Sequence, residues 1–176
     1  MTPMTDKRPL DTELDWPFFD PAFGLTPATR SQIHALAPAA AAALWASHVS
    51  AVPAERHGML LPATHWLNTN SKTGGLNWQH EVNTGAIAAF IQQGLATAAG
   101  ADVYFITMRE QAWRVRVEIF IAHWPAFLSL DDEAPFVFDP ASGQYVAFGP
   151  QGSLFSANKF INRAAFAGPT ADKEKK

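Results

Sequence analysis

The chain has 176 residues, no cysteine, and 13 Lys plus Arg against 16 Asp plus Glu, giving a formal net charge of −3. That length supports one domain with a real hydrophobic core, and the missing cysteines exclude disulfides, thiolate metal sites and a cysteine nucleophile together. The balanced charge argues against a nucleic-acid binder, no stretch reaches the roughly 20 apolar residues of a membrane span, and no apolar run follows Lys7-Arg8 as it would in a secretory signal. A soluble cytoplasmic protein is the expectation.

Residues 1–12 are polar, carry two prolines and read as loosely attached. Trp16-Pro17-Phe18-Phe19 holds too much apolar area for a free tail and is expected on the core. Thr26-Pro27 is a good helix start, with Thr as cap and Pro at the first helical position. Ile33 and Leu36 stand three apart on that short helix until Pro38 interrupts it. A second helix begins there, with Leu44, Trp45, His48 and Val49 on its apolar side. The span from Ala51 to Trp78 is irregular, with one short strand at Met59-Leu60-Leu61 and an Asn-rich loop over 68–75. From the cap at Asn83 or Thr84, Ile87, Phe90, Ile91, Leu95 and Ala98 form one stripe of a third helix, and Gly100 ends it in the left-handed conformation.

Val103-Tyr104-Phe105-Ile106 is apolar without alternation, which predicts a central strand covered on both faces. Trp113, Val115, Val117, Ile119 and Ile121 alternate with Arg114, Arg116 and Glu118, which predicts a second strand with one buried and one charged face. Arg109-Glu110-Gln111 turns between them. Two further strands follow at 135–139 and 144–148 around Asp139-Pro140-Ala141-Ser142-Gly143, and Phe160 to Phe166 suggests a last short helix. The expectation is therefore a single α+β domain over 1–170 with a charged flexible tail over 171–176. Helices near 27–50 and 84–99 should pack on one face of a mainly antiparallel meander.

Chemistry is harder to find. The six histidines are scattered and none makes an i, i+4 pair around a Glu, so no metal is expected. Gly74-Gly75 lacks the rest of a phosphate-binding loop, and no nucleophile elbow appears. No cofactor and no catalytic set follow from the sequence. Asp131-Asp132-Glu133 is the most pointed cluster. It reads first as a polar turn, and second as carboxylates crowded enough to hold a hard divalent cation or supply a raised-pKa acid, with Asp131 or Asp132 free to face a partner in either case. Trp66 and Trp78 flank the Asn-rich loop, and together with Asn68 and Asn70 they are the candidate contacts for a protein partner. The competing enzyme reading gathers His65, His80, Glu81 and Asp132 from distant positions.

Trp16-Pro-Phe18, Ile33 through Leu44-Trp45, and Val103-Tyr104-Phe105 followed by His123-Trp124-x-x-Phe127-Leu128-x-x-Asp131-Asp132 run in order along most of the chain. In these marks the sequence resembles a family of small uncharacterised bacterial proteins, domain of unknown function 2947. The resemblance implies a bacterial cytoplasmic α+β domain and brings no active site with it. The compact, acidic, aromatic-rich, cysteine-free build is also similar in style to bacterial immunity proteins, which neutralise a toxin by covering its active site. The leading expectation is thus a protein-binding module of immunity type, with a toxin as its possible partner. An enzyme and a homo-oligomeric structural protein are the alternatives.

Overall fold

The computed structural model describes residues 6–69, 72–73, 75–80, 84–131 and 133–160. The hairpin at its centre is β3 (Asp102–Met108) and β4 (Gln111–Arg116), paired antiparallel with Phe105 opposite Trp113. Its first strand is buried on both faces, as the absence of alternation predicted. On the other side of β3 lies β5 (Phe136–Phe138), followed by β6 (Gln144–Phe148) and β7 (Leu154–Asn158) in a meander. Two short strands complete the edges: β1 (His34–Ala35) pairs with β4, and β2 (Lys72–Thr73) with β7. Among the described residues the antiparallel sheet has seven strands, in the order β1-β4-β3-β5-β6-β7-β2.

The chain after β4 departs from expectation. Residues Val117–Leu128 form helix α4, where the alternation through Ile121 predicted that the strand would continue. Val117, Phe120, Trp124 and Phe127 fall three or four apart and are all buried, so the helical period wins over the two-residue period that the same segment also satisfies. Glu118, in the first turn, accepts the Gly100 N–H at 2.7 Å, and this charge suits a helix start. Pro125 sits inside the helix and His123 leaves helical geometry at φ −126°, ψ 22°, so α4 is kinked where Pro cannot donate.

Helix α1 (Pro27–Arg30) is capped by Thr26, whose hydroxyl accepts the Thr29 N–H at 3.1 Å. It ends sooner than its spacing suggested, because His34 and Ala35 are drawn onto the β4 edge as strand and the Leu36 N–H bonds the Ala112 carbonyl. Helix α2 (Pro38–His48) begins at Pro38 as expected. Met59-Leu60-Leu61 is not a strand; Gly58–Leu60 is a single 3-10 turn, and the β-bridge in this region is His57 with Met108. Helix α3 (Thr84–Gly94) and the turn Ala96–Ala98 bury Ile87, Ile91, Leu95 and Ala98, and Gly100 takes φ +74°.

The helices divide between the two faces of the sheet, a correction to the single covered face that the sequence suggested. Helices α3 and α4 cover Val103, Phe105, Val115, Val137, Val146 and Phe148. Helix α2 and residues 61–67 cover Ile106, Ala112, Phe136, Phe138 and Tyr145. The cause lies in the strands: both alternating sets of β3 and β5 are apolar, and each set must be removed from water. At Gly94 the α3 backbone approaches so closely that a Cβ would stand 2.6 Å from Val146 Cγ2.

Phe18 packs edge-on against Phe127 with ring centroids 4.8 Å apart, so the aromatic cluster docks as predicted, although Trp16 itself remains exposed. Residues 6–12 are tied down rather than loose. Arg8 N–H donates to the Ala35 carbonyl, and the Arg8 guanidinium makes two hydrogen bonds to Asp15, at 2.6 and 2.9 Å. The expected tail at 171–176 and most of the last helix lie outside the described residues. Among the described residues no helix is long and apolar enough to cross a membrane.

Candidate functional site

A cleft of about 340 Å³ opens on the α2 face of the sheet. Its walls are Gly58 and Met59, Asn68, Ala134, and the β6–β7 turn, with Ala147 and Phe155 beneath. The volume falls in the range of small-ligand or side-chain pockets, and the lining is mostly apolar.

One wall is pinned by a histidine–carboxylate pair. His57 Nδ1 accepts the Met59 N–H at 3.1 Å, which leaves Nε2 as the protonated nitrogen, facing Asp131 Oδ2 at 3.2 Å. The other Asp131 oxygen accepts the Glu133 N–H at 2.8 Å. Gly58 lies against Ala134, where an added Cβ would come within 2.9 Å of the Ala134 carbonyl oxygen, and Ala134 itself holds φ +80°. A non-glycine residue in that region is strained. Two chain segments 74 residues apart are therefore pressed together at the cleft, and the His57–Asp131 bond holds them there.

The opposite rim is built by the irregular span. Asn68 donates from Nδ2 to the Leu61 and Pro62 carbonyls at 3.2 and 2.9 Å, fixing its own loop. Trp78 donates from Nε1 to the Gly149 carbonyl at 3.0 Å and from its backbone to Gly152, while Asn77 donates to the Gln151 carbonyl. The β6–β7 turn is held by these three bonds. Deeper, Trp66 stands edge-on to Tyr145 at 4.7 Å and contacts Phe136 and Phe138.

The sequence candidates thus separate. Asn68, Asp131 and Glu133 line or border one cleft; Glu133 is exposed, while Asp131 is occupied by His57. Trp66 and Trp78 are both buried, at 6% and 9% exposure, so as they stand they support the cleft and present little face to a partner. Their polar neighbours in sequence are the groups that close loops around them, which is why composition placed them at the surface. His65 bonds the Val49 carbonyl through Nε2 and accepts the Leu67 N–H at Nδ1, both backbone contacts. His80 is exposed at the end of the turn that begins at Asn77. Asn70, Glu81 and Asp132 lie outside the described residues.

His57, Gly58, Met59 and Ala134 went unselected in the sequence. Their only signal is that Gly58 follows a histidine, since the partner Asp131 is supplied by topology. Among the described residues no group of three or more His, Cys, Asp or Glu is arranged to hold a metal ion. A second basic centre lies apart from the cleft: Lys159 Nζ stands 4.8 Å over the Phe138 ring and 3.5 Å from His48 Nδ1. Burial, and then that ammonium, push the His48 imidazole below its usual range.

A family model described as Protein of unknown function (DUF2947) matches residues 9–155. Comparison with curated proteins finds no match, and comparison with solved structures finds none.

Proposed function

Because the chain belongs to the DUF2947 family, whose description assigns no activity, we propose from its surface that it is a protein-binding module. The observation that carries this reading is the turn at the cleft mouth. Met59 and Leu60 are 56% and 60% exposed side by side, next to a ready apolar recess and the segment that carries Asp131 and Glu133. Adjacent exposed large apolar side chains are what a partner covers, and methionine adapts to such contacts. The partner surface that fits is an apolar side chain flanked by Lys or Arg, the first entering the cleft and the second facing Glu133. In its specific form this is an immunity-type inhibitor of the bacterial cytoplasm, which occludes the active site of a cognate toxin.

The His57–Asp131 pair is the observation that favours an enzyme instead. Both ring nitrogens are already engaged, however, one by a backbone N–H and one by the carboxylate, so the pair clamps the fold in this conformation and holds no free base.

A photo-crosslinking residue placed at Met59 in the full chain tests the binding reading in cells, with the same residue at exposed Glu13 as control. One stoichiometric adduct at position 59, absent from position 13 and weakened by Glu133→Lys, supports it. An adduct of two copies of this chain would move the reading to self-association, and equal, diffuse labelling at both positions would refute it.

A further inference from the structure

A second cleft, on the far side of the fold from β6 and β7, gathers positive charge. It is an open cleft of about 660 Å³ between residues 7–10 and the α1–β1 segment, lined by Lys7, Arg8, Arg30 and His34 over Leu10 and Ile33. The cations in it are of two kinds. Arg8 is neutralised by Asp15, through a pair at 2.6 Å. Lys7 and Arg30 have no carboxylate partner among the described residues.

Arg30 is also fixed in place. Its Nη1 donates to the Leu25 carbonyl at 3.0 Å, and its guanidinium carbon lies 5.1 Å over the Phe19 ring. Held by a carbonyl and a ring face, the guanidinium keeps its charge uncompensated and its remaining N–H groups available, at little cost in side-chain freedom when a ligand arrives. His34 reports on the same field. Its imidazole is pushed below the usual range by burial first, then by Lys7 and by Arg114 across the strand pair, with Asp102 opposing. An anion placed in the cleft would reverse part of that effect.

We infer that this cleft is a binding site for a small phosphate monoester, with the phosphate between Lys7 and Arg30 and its organic group on Leu10 and Ile33. The charge decides for the monoester: two uncompensated cations match the roughly −1.5 to −2 carried by such a phosphate at neutral pH. Guanidinium geometry suits phosphate oxygens, and Lys7 adds a point charge. The apolar floor gives an ester an advantage over the bare ion.

The test follows the His34 imidazole signals of the full chain by NMR while phenyl phosphate is added at constant ionic strength, with inorganic phosphate as the second probe. A saturable His34 shift is expected, accompanied by a rise in its pKa and tighter for phenyl phosphate than for inorganic phosphate. Lys7→Ala and Arg30→Gln, each confirmed folded by its spectrum, should each weaken binding about tenfold. No saturable shift in the wild type would overturn the inference, as would affinity unchanged in folded Lys7→Ala. Inorganic phosphate binding as tightly as phenyl phosphate would refute the role of the apolar floor.

Discussion

Asp15 is fully buried and its carboxylate accepts four hydrogen bonds: two from Arg8, one from the Asp11 N–H at 2.8 Å and one from Trp113 Nε1 at 2.8 Å. Replacing it with alanine removes every acceptor at once. The Trp113 N–H, on a residue 3% exposed, is left buried and unmade, which costs about 1–3 kcal/mol. Arg8 loses its ion pair but is a quarter exposed and can turn toward water, so its share is smaller, about 1 kcal/mol. The expected destabilisation is about 3 kcal/mol, equivalent to a fall in Tm of about 6–12 °C for a chain of this size. Urea unfolding of wild type, Asp15→Ala and Asp15→Asn would read it as a change in midpoint at constant slope. Asn keeps the shape and one acceptor for the indole, so its loss should be roughly half. The Trp113 indole signal should move in the Ala variant as its hydrogen bond disappears. Stability of Asp15→Ala within about 0.5 kcal/mol of wild type would refute the claim that this carboxylate fastens the first segment to β4.

Two further outcomes follow from contacts already described. Gly94→Ala places a Cβ 2.6 Å from Val146 Cγ2 and 2.9 Å from Ser156 Cβ, so overpacking should cost about 1–3 kcal/mol, relieved in part by Val146→Ala; a neutral Gly94→Ala, measured by urea unfolding, would contradict the close helix–sheet approach. His48 has a folded pKa below its usual 6.5, so the unfolded chain takes up that proton at the higher pH, and its stabilising effect is present above 6.5 and lost as pH falls through that value. Wild-type stability should therefore decline more steeply than that of His48→Gln between about pH 7 and pH 5, and equal slopes in urea midpoints across that window would contradict it.

Much of the sheet was legible because its residues leave little choice. Val103 to Ile106 read as a doubly covered strand, and Phe136-Val137-Phe138 and Gln144 to Phe148 read as strands around the Asp139–Gly143 turn, where Asp139 accepts the Ala141 and Ser142 N–H groups. Residues 117–121 could not be decided locally, since Val117, Ile119 and Ile121 satisfy a period of two while Val117, Phe120 and Trp124 satisfy a helical one. Burial of Phe120 against Phe105 and Phe127 settles it, and that is a tertiary fact. The acidic turn and Asn68 were found because charge and amide clusters mark loops. That both border one cleft, and that His57 completes it, depends on β-strand order, which no local pattern encodes.

The two outermost strands of the sheet, His34–Ala35 and Lys72–Thr73, belong to the first half of the chain, while every strand they lean on belongs to 102–158. During synthesis, the earlier half therefore emerges with strand segments that have no neighbour to pair with. Its aromatic residues, Trp45 and Trp66 among them, wait for Phe136, Phe138 and Tyr145 to leave the ribosome. Folding of this domain is set by its last strands, and a nascent chain halted before residue 102 should remain open to chaperones and proteases.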